Sequence, residues 1–478
     1  MKNKSENNST IANFIWRFTE RTAAQLVTFV VSIILARILS PEYYGTIALV
    51  TVFTTILQVF VDSGLGIALI QKKDADDLDF SSVFFFNMFM CVVLYIVMYI
   101  ASPYIAAFYN DKGLTPIIRF ISLTIIISGV KGIQQAYVSR NMLLKRFFFS
   151  TIGGTIASAI IGIILAYRGY GVWALAIQQV SNTAIDTLIL WLTVKWKPKF
   201  MFSFQRLKRL LRFGWKLLVS ALLDTIYGNL RNLIIGKKYT SADLAYFDQG
   251  DKLPKAIVTN INVSIDSVLL PTMSKMQDKT EAVRTLTRRA IRISVYIVAP
   301  LMIGFACCAD SLVRLVLTDK WLPCVPFIRI LSVSYLFWPI HTANLNAIKA
   351  VGRSDIFLKL EVIKKAVGLA LLLSTMWFGV KIMAYGLIVE CLLGLIVNTW
   401  PNKKLLHYGY IDQMRDIAPS VLLSMAMGVA VYCVGLISMP EIVKVVAQIT
   451  LGIVIYVAGS GIFRMKEFEY LIKKLRKK

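Results

Sequence analysis

Charge is scarce in this chain. Only 17% of its 478 residues are Asp, Glu, Lys or Arg, against 57% hydrophobic residues and a mean hydropathy of +0.65. A water-soluble domain is roughly 45 to 50% apolar and about a quarter charged, so a fold with a solvated surface all round is excluded. Histidine is rarer still: His341 and His407 are the two in the chain, and neither stands in a zinc-ligand or triad pattern. The six cysteines (Cys91, Cys307, Cys308, Cys324, Cys391 and Cys433) form no CxxC and lie mostly inside apolar runs. They read as small apolar fillers, and no metal is expected. No GxxxxGK[ST] occurs, which excludes an encoded P-loop ATPase. The outer loops are short, about 5 to 15 residues by span assignment, which argues against a membrane glycosyl polymerase with a large acceptor-handling loop.

What is present is a succession of apolar runs of about 20 residues, each long enough for a hydrocarbon core of roughly 30 Å. Fourteen spans are expected, at about 13–38, 44–68, 81–102, 116–137, 147–167, 171–194, 212–236, 242–272, 288–309, 324–348, 356–378, 382–400, 416–437 and 441–463, with ends uncertain by about four residues. The first carries Arg17, Glu20 and Arg21 and lacks a signal-peptide cleavage site, so it is expected to be retained. The fold class implied is all-α and integral to the membrane.

Basic residues outnumber acidic ones by 53 to 27. They cluster in alternate loops rather than in an aromatic-interleaved patch, so nucleic acid is not expected. The Lys/Arg-rich set of loops includes both termini, which places both termini in the cytoplasm. Residues 195–212 (KWKPKFMFSFQRLKRLLR) and the tail RMKEFEYLIKKLRKK are amphipathic and suited to anionic headgroups.

A weak internal repeat divides the chain. Phe14-Ile15-Trp16-Arg17 opens the first span and Phe213-Gly214-Trp215-Lys216 the seventh. About 25 residues after each Trp comes a short turn, LSPEYYG at 39–45 and YTSADLAYF at 239–247. The spacing predicts two six-helix lobes, 1–200 and 201–402, followed by two further helices and a basic tail over 403–478.

Ionisable side chains at membrane depth cost several kcal/mol unless they meet a partner or a water-filled cavity. Here they fall on helical faces at spacings of three and four. The stripes are Arg17, Glu20, Arg21 and Gln25; Thr51, Thr55, Gln58 and Asp62; Lys131, Gln134 and Gln135; and Gln178, Asn182 and Asp186. In the second half they are Lys216, Ser220, Asp224, Tyr227 and Arg231; Asp248, Asp251, Lys252, Lys255, Thr259, Asn262 and Asp266; and Glu361, Lys364 and Lys365, with Glu390 in the twelfth span. Two readings stand. Arg17, Arg21, Lys131, Lys216, Lys364 and Lys365 either snorkel to headgroups or face a cavity. Asp224, Arg231 and Glu390 sit deeper, as structural pairs or as functional groups, and Asp62 either caps a helix end or serves the site. Cations of this kind suit an anionic, phosphate-bearing substrate, with the acids as partners or ion-coupling groups.

The runs IILARILSPEYYGTIALV (33–50), DSGLGIALIQKK (62–73), YFDQGDKLPKAIVTNINVSIDSVLLPTMSKMQ (246–277) and AVGRSDIFLKLEVIKK (350–365) resemble bacterial oligosaccharide-lipid flippases of the Wzx type. That is the polysaccharide transporter branch of the superfamily that also holds the multidrug and toxic compound extrusion transporters, and the exporters of colanic and teichuronic acid look nearest. The resemblance implies two six-helix lobes around a cationic cavity, two extra helices, and alternating-access transfer of an undecaprenyl-diphosphate-linked sugar repeat to the outer leaflet of the inner membrane. The product would be capsule, exopolysaccharide or O-antigen, with a polymerase and chain-length machinery as partners. On this reading Arg17, Arg21, Lys131, Lys216, Arg231, Lys364 and Lys365 attract the substrate. Glu20, Asp62, Asp224, Asp248, Glu361 and Glu390 are acidic partners or ion-coupling groups, and no cofactor beyond a coupled H⁺ or Na⁺ is expected. The rivals are a multidrug exporter or a lipid II flippase of the same superfamily and, from another class, a membrane glycosyl polymerase or an assembly scaffold.

Overall fold

The computed structural model describes residues 23–62 and 65–476. Among them helices are the regular element throughout, as hydrocarbon demands when every backbone N–H and C=O must be satisfied within its own segment. In order they are α1 (Ala23–Ile38), α2 (Pro41–Asp62), α3 (Leu65–Gln71), α4 (Asp77–Tyr109), α5 (Leu114–Arg140), α6 (Lys145–Tyr167), α7 (Val172–Thr193) and α8 (Phe204–Lys238). There follow α9 (Ser241–Ser274), α10 (Thr280–Val316), a 3-10 turn (Asp319–Cys324), α11 (Val325–Leu336), α12 (Trp338–Ala350), α13 (Ser354–Thr375), α14 (Val380–Leu406), α15 (Tyr410–Gly435), α16 (Glu441–Ile462) and α17 (Lys466–Arg476).

Within the described residues each expected span overlies one helix or a consecutive pair, residues 13–22 of the first lying outside them. By length and composition ten of the described segments are long and apolar enough to cross a bilayer, while α1, α7, α8 and α13 fall outside that set. This is a multi-pass membrane protein. Among the described residues α11 gives way to α12 at Phe337, where Pro339 has no N–H to continue the helix.

The basic segment after α7 is pinned to the start of α4. Asp76 and Asp79 form a capping box: Asp76 Oδ1 accepts from the Asp79 N–H (3.0 Å), and Asp79 Oδ2 accepts from the Asp76 N–H (3.2 Å). Arg206 then donates to Asp76 Oδ2 (2.6 Å), Lys72 reaches the fully buried Asp79 (2.5 Å), and Trp196 Nε1 donates to Asp77 (2.9 Å). Burial raises the Asp76 carboxyl, but the Asp79 N–H and the Arg206 guanidinium outweigh it and hold the group at about 2. Arg140, the last residue of α5, donates to the carbonyls of Leu69, Lys72 and Lys73 and so covers the end of α3.

The chain divides into two compact units, Met1–Ala245 and Tyr246–Lys478. In the first, Phe80, Val83, Ile133, Val138, Leu190 and Leu207 build a core from α4, α5, α7 and α8, with Trp196 stacked on Tyr137 at 5.7 Å. The turns that open α2 and α9 meet there. A Cβ on Gly45 would stand 1.7 Å from the Ser241 carbonyl oxygen, so only glycine permits the contact. In the second unit Val258, Val295, Met302, Ile340, Leu395 and Ile417 join α9, α10, α12, α14 and α15. Its amphipathic tail helix α17 lays Phe468 and Leu471 against the Tyr296 and Tyr456 cluster, and Glu467 pairs with Arg292. Apolar side chains such as Ile96, Ile100, Leu192, Leu422 and Val429 stay exposed along the helices, the surface a lipid solvent calls for.

Candidate functional site

In the second unit a cavity of about 400 Å³ opens beside the break between α11 and α12. Tyr335, Trp338, His341 and Thr342 line it from those two helices, Glu361 and Lys364 from α13, and Glu390 and Cys391 from α14. Three ionisable residues of the sequence stripes therefore share one cavity. Lys364 Nζ lies 2.6 Å from Glu361 Oε1, one turn earlier on the same helix, so its charge is already met. Tyr335 and Trp338 stack at 5.3 Å.

His341 is held from two sides. Its Nδ1 is 2.8 Å from Asn398 Nδ2, and its Nε2 is 3.5 Å from Cys391 Sγ. With the Asn398 amide nitrogen donating, Nδ1 is the acceptor and the ring proton sits on Nε2. Gly394 permits the approach, since a Cβ there would lie 3.2 Å from His341 Cε1. Next along α12, Asn344 heads a buried amide cluster. It donates to Gln413 Oε1 (2.9 Å) and accepts at Oδ1 from Gln413 Nε2 (2.9 Å) and Asn402 Nδ2 (2.7 Å). These bonds tie α12, α14 and α15 at the cost of burying amides that must stay satisfied.

The α9 stripe divides between two roles. Tyr335 Oη donates to Asp251, Thr342 Oγ1 to Asn262 Oδ1 (3.5 Å) and Asn346 Nδ2 to Asp266 Oδ1 (2.8 Å), which fastens α9 to α11 and α12. Lys252 and Lys255, both exposed, pair one turn back with Asp248 (2.5 Å) and Asp251 (3.2 Å). Lys365 is half-buried on α13 and does not line the cavity.

In the first unit Lys131 Nζ on α5 lies 3.0 Å from Asp186 Oδ2 on α7. A smaller cavity of about 270 Å³ nearby is lined by Asp62, Asn87, Gln135 and Ser139, and Gln58 Nε2 donates to Asp62 Oδ1 (2.9 Å). On α8, Lys216 and Asp224 are exposed and Arg231 is half-buried. Arg17, Glu20 and Arg21 lie outside the described residues. In the second unit His341 and Asn398 make a neutral polar contact between α12 and α14.

Sequence reasoning passed over His341, Asn398 and the Asn344 cluster, because isolated neutral polar residues in apolar spans form no stripe and no motif.

Residues 34–326 match the family model described as polysaccharide biosynthesis protein. The chain belongs to that family. Among its relatives, the teichuronic acid biosynthesis protein TuaB of Bacillus subtilis is 24% identical over 391 residues, covering 80% of each chain. The lipopolysaccharide biosynthesis protein WzxC of Escherichia coli is 23% identical over 84% of this chain and 83% of its own. Among solved structures, the lipid II flippase MurJ in an inward closed conformation superposes with a TM-score of 0.79 at 15% identity, over 96% of this chain and 100% of that one. An inward-facing multidrug resistance transporter of the MATE family in the MOP superfamily reaches 0.61 at 15% identity, over 85% and 98%. The expected all-α, MATE-like membrane fold is thus the fold of this family member.

Proposed function

We propose that this chain is a flippase carrying undecaprenyl-diphosphate-linked oligosaccharide from the cytoplasmic to the outer leaflet of a bacterial inner membrane by alternating access, for surface polysaccharide assembly. The observation that carries the reading is a cavity among the second-unit helices holding Glu361, Lys364 and Glu390 in a member of the polysaccharide biosynthesis family. A membrane protein keeps ionisable groups among its spanning helices when a substrate or ion path needs them. TuaB and WzxC are named for polysaccharide biosynthesis and MurJ for flipping a lipid-linked sugar.

The roles divide by charge. Lys364 lies against Glu361, and Glu390 in the same cavity supplies a carboxylate for a coupled H⁺ or Na⁺. Attraction of the diphosphate is assigned to Arg231 and Lys216 on α8, with Arg17 and Arg21. Both termini are taken as cytoplasmic from the Lys/Arg balance of the loops.

A second reading rests on the stacked Tyr335 and Trp338 beside Glu361 and Glu390, a combination that attracts an organic cation. Deleting the gene in its host separates the two. A flippase deletion loses surface polysaccharide and accumulates lipid-linked repeat units at the inner face, with drug sensitivity unchanged. Intact surface polysaccharide together with raised sensitivity to cationic drugs overturns the proposal in favour of an exporter.

A further inference from the structure

We infer that the cavity between the end of α14 and the start of α15 binds the phosphate headgroup of an anionic bilayer lipid. The cavity measures about 560 Å³ and is lined by Ile396, Trp400, Lys403, Lys404, His407 and Tyr410 together with Thr399. No carboxylate lines it. Lys403 and Lys404 are exposed, and neither makes an ion pair or hydrogen bond among the described residues. Asp412, close by in sequence, is engaged as a cap and accepts from the Gly409 N–H at 3.0 Å.

The apolar side of the cavity points to a lipid rather than to a soluble anion. Ile396 and Trp400 stand one turn apart on α14 and are 46% and 70% exposed, and Ile411 at the start of α15 is 76% exposed. On a membrane-crossing helix such residues face acyl chains, while Trp and Tyr settle at headgroup level. The two lysines follow where this apolar wall ends, which reproduces the order of chain and phosphate in a phospholipid. Complementing the α14 helix dipole would account for two lysines in the last turn, but not for an open cavity with an aromatic rim.

The same end of the second unit carries further arginines. Arg288 pairs with Asp416 at the start of α15, and Arg292 with Glu467 of α17. By the Lys/Arg rule this is the cytoplasmic end, where anionic lipids attract juxtamembrane cations.

Native mass spectrometry of the purified full-length protein tests the site, using phosphatidylglycerol and phosphatidylcholine as probes. The wild type is expected to retain phosphatidylglycerol in preference to phosphatidylcholine. In Lys403→Gln/Lys404→Gln the phosphatidylglycerol affinity falls by about fivefold per lysine, phosphatidylcholine binding does not change, and Lys403→Arg/Lys404→Arg restores the preference. Both lysines are exposed, so an unaltered melting temperature is expected to accompany the loss. Equal retention of the two lipids, or phosphatidylglycerol binding unchanged in the Gln variant, overturns the inference. So does displacement by equimolar inorganic phosphate, which marks a free-anion site, or by equimolar polyprenyl diphosphate, which marks a carrier-lipid site.

Discussion

Lys131 and Asp186 face each other across α5 and α7 with Nζ and Oδ2 3.0 Å apart, and their side chains are only 18% and 15% exposed. A pair this withdrawn from water depends on both partners, because removing one leaves the other buried and uncompensated. Lys131→Met is expected to destabilise the protein by about 3 to 5 kcal/mol, and Lys131→Met/Asp186→Leu to recover most of that loss. Denaturant unfolding in detergent reads the difference. A double variant as unstable as the single one would contradict the pairing as the source of the effect.

Gly45 and Gly228 make opposite predictions. A Cβ on Gly45 meets the Ser241 carbonyl at 1.7 Å, whereas one on Gly228, inside α8, meets nothing within 4 Å. Gly45→Ala is expected to cost at least about 1 to 3 kcal/mol through overpacking. Gly228→Ala is expected to gain up to about 1 kcal/mol from helix propensity. The yield of monodisperse protein and its melting temperature check both.

The Asp76 carboxyl, held at about 2 by the Asp79 N–H and Arg206, gives a pH signature. Its folded pKa is depressed, so its stabilising contribution is complete above the unfolded value near 4 and disappears as pH falls through about 2. Asp76→Asn is expected to flatten the melting temperature against pH between those limits. An unchanged slope contradicts the cap and ion pair as its cause.

The helical fold and the ionisable stripes were legible in sequence, because a hydrocarbon solvent forces long apolar runs and makes each charge conspicuous. The stripes did not say which charges meet. Lys364 and Glu361 pair along one helix, Lys131 and Asp186 pair between helices, and Asp251, Asn262 and Asp266 fasten α9 to α11 and α12. The partners on separate helices lie tens of residues away, and no period carries that information. His341 was illegible as a cavity residue for the same reason: its environment is made by Cys391 and Asn398, more than 40 residues on.

We take Glu390 as the group for ion coupling because it is a carboxylate that lines the second-unit cavity. Glu390→Gln is expected to leave the melting temperature within a few degrees of wild type and to abolish the stimulation of transport by an imposed H⁺ or Na⁺ gradient. Stimulation that survives in Glu390→Gln places the coupling group elsewhere.

The most direct test of the account uses proteoliposomes loaded with a labelled undecaprenyl-diphosphate oligosaccharide, scoring the label made accessible to an enzyme added outside. The account predicts exposure well above protein-free liposomes for the wild type, and a loss of about tenfold or more for a folded Arg231→Ala variant, equivalent to about 1.4 kcal/mol. Exposure no faster than in protein-free liposomes, or full activity in Arg231→Ala, would contradict it.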